Sequence, residues 1–279
     1  MGSYFPIPND LRIESKENLI IKSSITVFNY PNNSLLKNIN KRREDIFYCI
    51  YFLKNKKWHK YDQIRCGYGE YLEIKRDDLK IPNNSIAIAI PRRNSSNPNI
   101  TSKLITPFSL RKDNSPIEER ASYNFYFKNI CTSYQGEFPY KLSKNKRASF
   151  FSFDSLRLDQ NINTRCYLIL INLNQESNNR SKNIVKLYNP TTKKVFKEIS
   201  IKTNSIKYFR LPKLKKDTLY KNPTFISCNS NTFIPIFLTI NLDKKNYELS
   251  VEHTHPPSEL FWGIDRYKFI EKLKSNWIL

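Results

Sequence analysis

Hydrophobic positions along this chain fall into short β-branched and aromatic runs divided by polar clusters, some of them with the two-residue period of half-buried strands. Ile20 to Tyr30 is β-branched and partly alternating, and Asp45 to Leu53 is a stronger apolar run. A tight Lys-rich turn then leads to Trp58 to Ile64. Glu70 to Lys75 alternates around Tyr71 and Ile74, and Ser85 to Ile90 is a short apolar strand after the turn signal Asn83-Asn84. Tyr123, Phe125 and Phe127 alternate, which predicts a strand with one aromatic face. A second series follows: Cys166 to Leu173, Asn183 to Tyr188, Lys194 to Lys202, Ile206 to Leu211, Pro223 to Cys228, Thr232 to Ile240 and Tyr247 to His253. Short runs divided by Asn, Gly, Pro and Lys clusters are the mark of antiparallel all-β folds. We expect an all-β protein of two antiparallel β-sandwich-like units with one short C-terminal α-helix.

The expected boundaries follow the texture. Residues 1–17 are polar with Pro6 and Pro8 and read as an extended arm. Unit 1 spans 18–95, a Pro/Ser/Asn-rich linker or long loop spans 96–119, and unit 2 with its aromatic entry segment spans 120–262. The last element, 263–279, is helical: Asp265 to Asn276 sets Phe269, Ile270, Leu273 and Trp277 on one face. A weak echo links Tyr48–Ile90 with Lys186–Cys228. The turns KNKKW and TTKKV align, as do GEYLEIKRDDL and SIKYFRLPKL, which points to an internal duplication.

Charge changes the picture next. Lys plus Arg number 47 against 25 Asp plus Glu, for a formal charge of +22. That balance invites a polyanion, either acidic polysaccharide or nucleic acid. The Asn- and Ile-rich texture is also what AT-rich codons produce, and such a bias scatters lysine without selection for binding. No apolar run reaches the about 18 residues of a membrane span. The N-terminus carries no secretory signal, and five cysteines, none closer than 17 residues to the next, form no C-x-x-C pair. A reducing, cytoplasmic setting fits.

Candidate chemistry is sparse. Lys56, Lys57, Trp58, Lys60 and Tyr61 mix cations with rings, the combination that binds single-stranded nucleic acid or sugars. Tyr134, Glu137 and Tyr140 set polar groups among rings, a pattern of sugar and peptide sites. No G-x-S-x-G elbow and no G-x-x-x-x-G-K-[ST] loop occurs, so the reading leans away from an enzyme, with no cofactor. The rival reading is metal-dependent. His253 and His255, at i and i+2 of a strand, face one side, with Glu252, Glu259 or Asp265 as the third ligand for zinc or another divalent transition metal. The stretch His253-Thr254-His255-Pro256, with Asp265 ten residues after His255, resembles the metal motif of JAMM-type zinc isopeptidases. That resemblance implies His253, His255 and Asp265 as the zinc ligands. Gly263 stands where that motif has its Ser, the match covers this local stretch alone, and no family is assigned on it. The first expectation is therefore a non-catalytic binding or scaffold protein with a basic, aromatic-bearing surface. The C-terminal helix is a surface for a protein partner.

Overall fold

A computed structural model describes residues 3–13, 18–29, 45–83, 85–92, 100–107, 121–136, 138–139, 149–153, 163–179, 181–189, 191–213, 224–228 and 233–253. Within them every regular element is a strand, and every pairing is antiparallel. The helix expected at Asp265 to Asn276 lies outside the described residues.

The chain divides into two compact units, 1–141 with 174–179, and 142–173 with 180–279. Unit 1 contains β1 (Ser3–Ile7), β2 (Leu11–Arg12), β3 (Ile20–Phe28), β4 (Ile46–Lys54), β5 (Lys57–Cys66), β6 (Tyr71–Lys75) and β7 (Ala87–Arg92). It continues with β8 (Ile100–Thr101), β9 (Ala121–Phe127), β10 (Ile130–Gly136) and β11 (Phe138–Pro139). One sheet has the order β11-β1-β7-β4-β5-β8; the other runs β10-β9-β3-β2, with β6 also pairing β3. Unit 2 contains β12 (Ser149–Phe153), β13 (Thr164–Asn172), β14 (Lys182–Tyr188) and β15 (Val195–Lys202). It closes with β16 (Ser205–Arg210), β17 (Thr224–Cys228), β18 (Phe233–Asp243) and β19 (Asn246–His253). Its sheets have the orders β12-β17-β14-β15 and β16-β13-β18-β19.

Two boundaries differ from the sequence reading. The division falls at 141/142, not within 96–119, because β9 and β10 extend the sheet built on β3. Ser3–Ile7 is a buried strand in a sheet and not a separate arm. Pro6 is tolerated there because β11 pairs only Ser3 and Tyr4, so Pro6 has a partner on one side alone.

The two units share one pairing scheme. β1-β7-β4-β5 in unit 1 matches β12-β17-β14-β15 in unit 2, and β10-β9-β3-β6 matches β19-β18-β13-β16. The correspondence reaches single residues. The β4–β5 hairpin shifts register between Ile50 and Tyr51, leaving Tyr61 as the extra residue of its second strand. The β14–β15 hairpin shifts between Leu187 and Tyr188, leaving Phe196 in that place. Arg76 N–H donates to the Ser23 carbonyl at 3.0 Å, and Leu211 N–H to that of Cys166 at 2.8 Å. Positive φ recurs at matched turns: Lys56 (61°) with Lys193 (59°), and Gly69 (79°) with Asn204 (54°). The echo in the sequence thus coincides with repeated strand pairing.

In unit 2 both sheets contribute to one core. Leu168 and Leu170 of β13, Val185 and Leu187 of β14, and Ile226 of β17 are all buried in it. Phe153 and Phe237, one from each sheet, stack with ring centroids 4.3 Å apart. Full burial of each such side chain stabilises by about 1.5–3 kcal/mol.

Candidate functional site

Alternation puts every second side chain of a strand on one face. On the sheet built around β3 this rule yields a polar face. Lys22, Ser24, Thr26 and Phe28 share it, while Ile21, Ile25 and Val27 point to the buried side. Register aligns the neighbours: Tyr71, Glu73 and Lys75 of β6 lie opposite Phe28, Thr26 and Ser24. On the other side Ser122, Asn124 and Tyr126 of β9 face Thr26, Ser24 and Lys22.

These side chains form a connected network. Asn124 Nδ2 donates to Ser24 Oγ at 3.0 Å and to Thr26 Oγ1 at 2.8 Å. Ser24 Oγ donates to Glu73 Oε1 at 2.6 Å, and the Tyr126 hydroxyl donates to the same oxygen at 2.7 Å. Partial burial pushes the Glu73 carboxyl upward, but the donors Ser24 and Tyr126, with Lys75 nearby, outweigh it and hold the group below its ordinary value. Burial and the Glu73 bond push the Tyr126 phenol up to about 12.

At the Lys22 end the face opens into a cavity of about 310 Å³, lined by Lys22, Ser23, Glu73, Lys75, Asp77, Asp78 and Tyr126. Lys22 pairs with Asp77, and with Asp10 at 3.4 Å. Ser23 N–H anchors Asp10 Oδ1 at 2.8 Å. Burial and the neighbouring Asp77 raise the Asp10 carboxyl, whereas hydrogen bonds with Asp10 and Lys22 lower that of Asp77. The bond to Asp77 raises the Lys22 ammonium. Lys75 makes no ion pair among the described residues.

The residues singled out from sequence fall elsewhere. Lys56 and Lys57 are exposed at the β4–β5 turn, beside exposed Lys54. Trp58 is 0% exposed and donates its indole N–H to the Gln175 carbonyl at 3.2 Å, so it offers a ligand no platform. Lys60 is half-buried and donates to Gln63 Oε1 at 3.0 Å. The half-buried Tyr61 hydroxyl accepts the Lys80 N–H at 3.0 Å. Tyr134 stacks on Tyr123 with ring centroids 5.0 Å apart. Glu137, Tyr140, His255 and Asp265 lie outside the described residues, and of His253 only the backbone, closing β19, is described. Among the described residues no His, Cys, Asp and Glu side chains gather in a group able to hold a metal ion. All five cysteines are thiols without a disulfide, and four of them are buried. No helix among the described residues is long and apolar enough to cross a membrane.

The signal that marks the polar face is present but weak. Lys-Ser-Ser-Ile-Thr-Val-Phe at 22–28 alternates, and Asn124 interrupts an aromatic strand. Only the register between strands joins them.

No family model matches the sequence, and no curated protein matches it. Among solved structures, a β-D-glucuronidase of Dictyoglomus thermophilum aligns with 12% identity and a TM-score of 0.15, over 91% of this chain and 44% of that one. The chain therefore spans under half the length of that enzyme, and a likeness at this level carries no argument.

Proposed function

We propose that this chain is a non-catalytic binding protein for an acidic polymer, acidic polysaccharide or nucleic acid. The observation that carries the reading is a lysine-bearing hairpin turn at matched places in both units. Lys54, Lys56 and Lys57 are exposed on one, and Lys193 and Lys194 on the other. Lys56 and Lys193 both hold positive φ, a conformation that costs a non-glycine residue about 1–2 kcal/mol. Two cationic tips on a chain of charge +22 act as a pair of grips, each releasing counterions as it neutralises anionic groups. We read the two sheets of each unit as a β-sandwich that holds its hairpin rigid, and the setting as cytoplasmic, in keeping with five unbridged thiols.

The test is binding of a sulfated polysaccharide, polygalacturonate and single-stranded DNA across a salt series. The wild-type protein binds with a steep salt slope. Lys56→Ser/Lys57→Ser and Lys193→Ser/Lys194→Ser each flatten it. Weak binding with a shallow slope for all three polymers overturns the proposal, as does a slope unchanged in both double variants.

A further inference from the structure

The polar face of unit 1 is not something the fold demands. Unit 2 repeats the pairing scheme, and anchoring the match on Arg76–Ser23 and Leu211–Cys166 aligns the faces residue by residue. Ser24 and its partner Asn124 correspond to Tyr167 and its partner Leu238; Thr26 and Ser122 correspond to Ile169 and Ile236. In unit 2 all four of these are buried, three of them aliphatic. At β13 and β18 this face of unit 2 is therefore buried and largely apolar, while its β16 row, Ile206, Tyr208 and Arg210, is half-buried to exposed. Unit 1 carries hydroxyl and amide groups in place of the four buried positions, with Ser24 and Asn124 themselves buried, and Glu73 where unit 2 has Tyr208.

We propose that this face binds a neutral oligosaccharide. A polyhydroxylated ligand needs fixed donors and acceptors, plus a flat apolar surface for the C–H face of its ring. Both are present. Glu73 Oε1 is engaged by Ser24 and Tyr126, which hold the carboxylate in place, while no described residue donates to Oε2, leaving it for a ligand hydroxyl. Lys75, two residues along the same face, makes no ion pair among the described residues and adds a donor beside Glu73. Tyr71 is 67% exposed and heads the same row of β6 side chains. From Tyr71 to Lys75 the strand rises about 13 Å, room for a short oligosaccharide.

Charge names the class. The cavity sets Lys22 and Lys75 against Glu73, Asp77 and Asp78, in a chain where basic residues outnumber acidic ones by 47 to 25. A face without cationic excess on so basic a protein does not suit a polyanion and does suit an uncharged sugar. The face is a separate surface from the hairpin turns, so either proposal stands if the other fails.

The test titrates the full chain with cellohexaose, xylohexaose and mannohexaose, with hexagalacturonate as the acidic comparison, following backbone amide shifts. At least one neutral sugar shifts amides of β3, β6 and β9. Tyr71→Ala and Glu73→Gln, each folded by circular dichroism, weaken that binding about tenfold or more, while Lys56→Ser/Lys57→Ser leaves it unchanged. Absence of binding by all three neutral sugars overturns the proposal. So does binding that survives both face substitutions, or a preference of the face for hexagalacturonate.

Discussion

Lys56 shows how a single backbone angle divides cost from use. With φ of 61° after Asn55 at 49°, it occupies the second place of a two-residue hairpin turn, where glycine is favoured. Lys56→Gly is expected to raise stability by about 1 kcal/mol, read as a higher urea midpoint at unchanged slope. The same variant weakens polymer binding, so stability and binding move in opposite directions. Trp58, two residues on, obeys the opposite logic. Its ring is wholly buried and its N–H is satisfied by the Gln175 carbonyl. Trp58→Ala is expected to cost about 3–5 kcal/mol in a denaturant titration. A ligand-contacting ring would instead lose affinity with little loss of stability. The sequence places Trp58 beside lysines, but strand alternation turns neighbours to opposite sides, and nothing local says which side is the core.

At the level of the element, the sheet around β3 couples stability to pH through Glu73. Its folded-state pKa lies below the ordinary value of 4.5, because Ser24, Tyr126 and Lys75 favour the charged form. Its contribution is therefore complete above about 4.5 and is lost as the pH falls through the folded value. Glu73→Gln is expected to flatten that part of the acid limb, measured as thermal midpoint against pH; a limb as steep as the wild type contradicts the network's role. Strands such as Cys166 to Leu173 were legible because a long β-branched and aliphatic run, buried on both faces, stands out from the polar turns that bound it. β2, β8 and β11, at two residues each, carry no period to read. β1 was masked by Pro6, whose backbone is acceptable only because its pairing is one-sided.

At the level of the whole molecule, two units with one pairing scheme have been given different faces. The echo between Tyr48–Ile90 and Lys186–Cys228 was legible, down to the lysines of both turns, and β4–β7 and β14–β17 repeat one set of pairings. Breaking the shared core of unit 2 with Leu170→Ala is expected to cost about 2–5 kcal/mol, read by the loss of its share of a denaturant transition. It leaves sugar binding at the face of unit 1 unchanged in amide-shift titrations below that transition. Loss of sugar binding in a still-folded Leu170→Ala protein argues against a site confined to unit 1.

Residue order alone determined the all-β class, most of the longer strands, the repeated hairpin with its lysines, and the excess of positive charge. Each is carried by local period or by composition, which need no partner strand. Tertiary structure alone decided that Ser24, Glu73, Asn124 and Tyr126 share one network, and that Trp58 does not face solvent. These four residues come from three strands up to about a hundred positions apart, joined by register. A one-residue slip in register would turn every one of those side chains to the other face, and only the long-range packing of the core forbids that slip.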